Sequence, residues 1–167
     1  MSRSVFDDLD ASPSGAMDSA DARTLRLSAP PLTPDGLERL VRYQEAFLAH
    51  LEGTASVGEA FTAAHEQGLA ASGLDVKQVE LGNSLVRAWC GQRWTARRVR
   101  ERLGELERAG DAASAEKASR ARDELRRLED VEPLARRYGQ EAVELLGEHE
   151  ERLVALHARM QKALTRT

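Results

Sequence analysis

A single cysteine, Cys90, in 167 residues excludes an intramolecular disulfide and a cysteine-based zinc site. Aromatic residues make up 4% of the chain, too few to wall a broad aromatic pocket. Positive charge is not in excess. Lys and Arg total 24 against 28 Asp and Glu, a net charge of −4, which excludes a protein that is basic throughout and coats nucleic acid by charge alone. No window approaches the roughly 18 apolar residues that a membrane span requires. The first thirty residues lack the charged start and apolar run of a signal peptide, so the expected compartment is the cytoplasm. The phosphate-cradling motifs G-x-x-x-x-G-K-[ST] and G-x-G-x-x-G are absent, as is the nucleophile motif G-x-S-x-G. What remains is a chain that is 31% charged and 41% apolar, suited to one domain with at most an extended arm.

Residues 1–32 are dominated by Ser, Ala, Asp and Pro, with sparse apolar side chains. Such a stretch buries too little surface to offset its ordering entropy, and it reads as a disordered or draped tail. Phe6 with Leu9, and Leu25 with Leu27, are its candidate docking anchors. From residue 33 to 167 the pattern is helical throughout. Thr33-Pro34-Asp35 supplies a capping hydroxyl, a proline at the first helical position and an acid in the first turn. Ser56 with Glu59 reads as a capping box for a second helix, which Gly68 weakens and Gly73 closes; His65 falls at its end. Asp75 with Gln78 opens a third helix expected to run to about Ala109, roughly 52 Å at 1.5 Å per residue.

The third helix carries a stripe of alternating four and three spacing, Leu85, Trp89, Gln92, Ala96, Val99, Leu103, Leu106. That is a heptad seam. Gly110-Asp111 breaks it, and a second seam follows from Ala121 to Met160, interrupted at Pro133, which is either the first residue of a new helix after Glu132 or the site of a kink. Residues 133–165 are expected to form one long last helix. Folding the chain about residue 110 places Leu103 opposite Ala118, Ala96 opposite Leu125 and Gly82 opposite Gly139. The expected fold is therefore all-α: an antiparallel helical hairpin, a coiled-coil-like arm with its tip near residues 103–118, and two shorter helices packed at its base.

The densest local feature is WCGQRWTARRVRER, residues 89–102, where arginines crowd around Trp89 and Trp94. Guanidinium forks bind phosphate or carboxylate, and indoles stack on bases or guanidinium planes. Arg93, Arg97 and Arg100 share one face by their i, i+4, i+7 spacing. Together with Arg98 and Trp94 they form the candidate partner surface. Acids across the hairpin, Glu124, Glu129, Asp130 and Glu132, are the expected internal alternative, and Glu141–Glu151 forms a second acidic block able to pair within or between subunits. The histidines His50, His65, His149 and His157 lack metal-ligand spacing, and Cys90 reads as a small buried apolar residue. No catalytic, cofactor-binding or metal-ligating set emerges.

Two stretches, GLDVKQVELGNSLVRAWCGQRWTARR (residues 73–98) and RRYGQEAVELLGEHEERLVAL (residues 136–156), resemble an uncharacterised all-helical family common in myxobacteria and their relatives. Its members carry a similar "GL…V…L…LV…C…R…AAR" helix and a later "YG..AV" helix. Many look like lipoproteins or secreted proteins, and this sequence departs there, with no lipid-accepting cysteine near its start. The resemblance implies a helical hairpin and no particular activity. The functional expectation is a non-enzymatic protein–protein interaction module: an adaptor, scaffold or assembly subunit that binds another protein or itself. The alternative is a nucleic-acid or polyanion binder using the Arg93–Arg102 face, and a metal-binding or enzymatic bundle ranks last.

Overall fold

A computed structural model describes residues 31–166. The expected tail anchors Phe6, Leu9, Leu25 and Leu27 lie outside the described residues. The described residues hold seven helices and no strand: α1 Pro34–Glu52, α2 Val57–Ser72, α3 Val76–Ala109, α4 Ala112–Glu129, α5 Glu132–Tyr138, α6 Gln140–Glu148 and α7 Glu150–Leu164.

The start of α1 forms as its sequence dictates. The Thr33 hydroxyl accepts the Gly36 N–H at 3.0 Å, and Leu37, Leu40, Val41, Leu48 and Leu51 face inward. α2 returns antiparallel along it, with the Phe47 and Phe61 rings 6.0 Å apart. The closest approach is at Gly68, where a β-carbon would lie 2.5 Å from the Tyr43 ring. Gly68 does not interrupt this helix: α2 runs through it to Ser72 and stops at Gly73, whose φ of +67° suits glycine. His65 therefore sits mid-helix rather than at the end, and its Nδ1 lies 2.6 Å from the Tyr43 hydroxyl. Ser56 is the N-cap residue, but its side chain makes no capping hydrogen bond.

α3 begins with the full capping box: Asp75 accepts the Gln78 N–H at 2.8 Å, and Gln78 accepts the Asp75 N–H at 3.0 Å. Its 34 residues span about 51 Å. The reversal falls at Gly110, φ +71°, and Asp111 caps α4 through the Ser114 N–H at 2.7 Å. α3 and α4 form the expected antiparallel pair. Along the outer part of this arm only Ala96, Ala118 and Ala121 are fully buried, while Leu103, Leu106 and Leu125 are half-buried. At its root, the Gln92 side chain donates to the carbonyls of Leu128 (2.7 Å) and Asp130 (2.8 Å), closing the open C-terminus of α4.

The single helix expected over residues 133–165 does not form. Pro133 cannot continue a helix through Glu129, because its ring clashes with the carbonyl four residues back; α4 ends at Glu129 and Pro133 enters the first turn of α5. Gly139 then takes φ +99° and ψ 144°, a conformation open to glycine alone, and separates α5 from α6. A third break at His149 separates α6 from α7. α5 and α6 are thus a detour after which α7 restarts beside Arg97 and runs antiparallel down the first half of α3, as the Arg97–Glu151 and Trp94–His157 contacts show. The Gly82–Gly139 pairing does not form either: Gly82 packs under Leu40 of α1, and a β-carbon added at Gly139 would meet nothing within 4 Å.

The core belongs to this base. Leu48, Leu51, Leu146, Leu153, Trp89 and Cys90 are its most deeply buried large side chains, drawn from α1, α3, α6 and α7. Burial of each of these leucines contributes on the order of 1.5–3 kcal/mol. The arm contributes alanines in place of such residues.

Candidate functional site

The geometry of the arginine face follows from the detour. Because α7 restarts beside α3, its first turn delivers Glu150 and Glu151 to the arginines. Arg93 Nε lies 3.4 Å from Glu150, and Arg97 reaches Glu150 at 3.4 Å and Glu151 at 2.7 Å. Those hydrogen bonds and charges hold the Arg97 guanidinium above its ordinary pKa, with the Glu151 bond the main cause. Arg100 pairs with Glu129 across the arm at 2.6 Å. Of the acids expected across the hairpin, only Glu129 is used, and Glu124, Asp130 and Glu132 make no ion pair with Arg93, Arg97 or Arg100; Glu150 and Glu151 come from the second acidic block, which here pairs within the chain. Arg93 also stands over Trp89, with Cζ 5.6 Å from the ring centre.

Arg98 and Trp94 are arranged differently. The Arg98 guanidinium carbon lies 4.7 Å over the Trp94 ring, and His157 stands edge-on to the same ring at 5.8 Å. Arg98 is exposed and Trp94 half-buried. A guanidinium stacked on an indole is held in place and still offers its edge to a carboxylate or phosphate. The structure thus brings Arg93, Arg97, Arg98, Arg100 and Trp94 to one region at the root of the arm, with three of the four arginines in contact with acids of the same chain.

Below this region, α1, α2, α3 and α7 enclose a groove of about 530 Å³ that no spacing in the sequence announces. Its floor includes Leu48, Cys90 and Leu153, its edges include Phe61 and Leu164, and its polar lining includes Arg87 and His157. Burial, with a further contribution from the charge of Glu150, pushes the Cys90 thiol up to about 12. A thiol in that state carries almost no thiolate at neutral pH, so it is not an activated nucleophile even with His157 lining the same groove. We expect Cys90 to react with a disulfide reagent at least about a thousandfold more slowly in the folded protein than in denaturant. Comparable rates in the two states would mean that the core around α3 opens freely.

Burial and then the Arg87 charge hold the His157 pKa below its ordinary 6.5. The unfolded chain therefore binds this proton at a higher pH than the folded one. The stability His157 contributes is present above about pH 6.5 and is lost as pH falls through the folded value. The urea midpoint should be lower at pH 5 than at pH 7.5, and His157→Asn should flatten that difference. The Asp111 carboxyl is held low chiefly by the Ser114 N–H, so its acid loss begins only below its ordinary value of 3.8 and does not overlap. Equal midpoints at pH 5 and 7.5 in the parent protein would contradict this assignment.

Among the described residues no group of three or more His, Cys, Asp or Glu side chains is placed to hold a metal ion, and no helix is long and apolar enough to cross a membrane. Over the described residues, fold and surface define an all-helical unit in which a two-helix arm extends from a helical base. No family model, no curated protein and no solved structure matches it.

Proposed function

We propose that the protein is a non-catalytic helical interaction module that holds another protein, or a second copy of itself, through the α3–α4 arm and its arginine-rich root. The observation carrying this reading is the separation of roles along α3. Its first half buries one face against α1, α6 and α7, while its outer half, beyond the contacts of Arg93, Trp94 and Arg97 with α7, packs on α4 across an alanine seam, leaving Leu103, Leu106 and Leu125 half-covered. About 25 Å of slender, charged double helix is poorly suited to enclosing a substrate and well suited to lying along another surface. The Arg98–Trp94 stack at the root adds a rigid anchor of the kind enriched in interface centres.

Binding of a nucleic acid or other polyanion through the Arg93–Arg102 face ranks behind this. Arg93, Arg97 and Arg100 already have carboxylates, and a phosphate would have to displace them. The test is a native pull-down with the full chain and with a variant lacking one heptad from each arm helix, residues 99–105 and 116–122. The deletion keeps the register and shortens the arm by about 10 Å. Interaction through the arm predicts partners, or self-association, lost by the shortened chain while its base remains folded. Retention of all partners would overturn the proposal, and steep loss of binding with salt would favour the polyanion reading.

A further inference from the structure

We infer that the groove between α1, α2, α3 and α7 binds a long-chain carboxylate, its apolar chain on the leucine floor and its head group on Arg87. This goes beyond the arm-mediated reading and uses a different part of the molecule. At about 530 Å³ the groove falls within the size range of small-ligand sites, and like them it is apolar with a few polar groups on its wall. Leu48, Leu153 and Leu156 at its base are almost fully buried, so the floor is continuous with the core. Three large apolar side chains are exposed among the described residues, and two of them, Phe61 and Leu164, border this one groove. Exposed apolar residues gathered around an apolar depression mark a surface that gains by being covered.

The charge of the lining selects the head group. The groove wall includes no Asp or Glu. Burial holds His157 below its ordinary pKa and so favours its neutral form, which leaves Arg87 as the one permanent charge of the lining. Arg87 belongs to none of the ion pairs formed among the described residues, whereas Arg93, Arg97 and Arg100 on the same helix are all engaged. An apolar floor with one uncommitted guanidinium at its edge is complementary to an amphiphile with a single negative charge, and carboxylate geometry suits that fork.

The test is calorimetric titration of the full chain with octanoate, decanoate and dodecanoate below their aggregation concentrations, with decanol and decyltrimethylammonium as controls. Saturable 1:1 binding is expected, tightening about fourfold per added CH₂ as each is buried. Arg87→Gln should weaken decanoate binding at least about tenfold with the helical circular dichroism unchanged. Leu164→Glu, a change at the exposed rim, should weaken it as well. Absence of saturable binding, affinity independent of chain length, or full retention in Arg87→Gln would overturn the inference. A groove that accepts only a partner helix gives the first of these results.

Discussion

Replacing Gly68 by alanine should destabilise the protein by about 3 kcal/mol, the upper end of the usual cost of overpacking. The added β-carbon would lie 2.5 and 2.6 Å from two atoms of the Tyr43 ring and 3.0 Å from the Tyr43 carbonyl oxygen. The ring cannot swing clear at low cost. Its hydroxyl is bonded to His65 of the same facing helix, and its face is stacked on Phe47 with ring centres 5.9 Å apart. The carbonyl is part of α1 and cannot yield without moving the helix. Alanine is the better helix former, so propensity alone predicts a gain of up to about 1 kcal/mol. The two effects oppose each other, and contact should win. Thermal denaturation of Gly68→Ala should show a midpoint lowered by several degrees. A midpoint at or above that of the parent would mean that α1 and α2 are not packed this closely.

Leu153→Asp should leave the chain unfolded, while Leu103→Asp should leave it folded. Leu153 is 1% exposed, on the buried face of α7 against α1 and α3. Aspartate there forfeits about 1.5–3 kcal/mol of apolar burial and adds several more for a carboxylate with no partner. The sum rivals the 5–15 kcal/mol total stability of a typical domain. Leu103 sits on the arm, half-buried, where a carboxylate can turn to water, so a loss of about 1–2 kcal/mol is expected. Circular dichroism of the two variants decides the matter. Similar losses in both would mean that the arm seam carries as much of the fold as the base.

Much of this architecture was legible because its signals are local. Thr33-Pro34-Asp35, the Asp75–Gln78 box and Gly110 each act within one turn of chain, and each is realised where it stands. The heptad seam of α3 also survived, since Trp89 and Ala96 face inward as their spacing requires. The path after residue 130 was not legible. The spacing from Ala121 to Met160 is that of a continuous seam, and nothing in it says that Pro133, Gly139 and His149 together turn the chain back rather than merely bend it. That one topological difference governs the arginine face. Folding about residue 110 places the acids of residues 124–132 nearest the arginines and sends Glu150 and Glu151 past the foot of α3. The detour returns them to Arg93 and Arg97. The groove was hidden for a related reason: Phe61, Arg87, Leu153 and Leu164 come from three different helices and share no periodicity. Gly68 reads as a helix weakness along the chain and is a packing contact only once α1 lies beside α2.

A division of labour is expected along α3: stability resides in the base, and the arm beyond Arg97, the surface proposed to meet a partner, is lightly held. Hydrogen exchange measured by mass spectrometry on the full chain at pH 7.5 tests it directly. Amides in Leu40–Leu48, Leu85–Cys90 and Leu153–Leu156 should exchange slowest, near the rate of global unfolding, and those in 100–109 and 112–122 roughly a hundredfold faster. Equal protection along the whole of α3 and α4 would contradict the claim and make the arm part of the stable core.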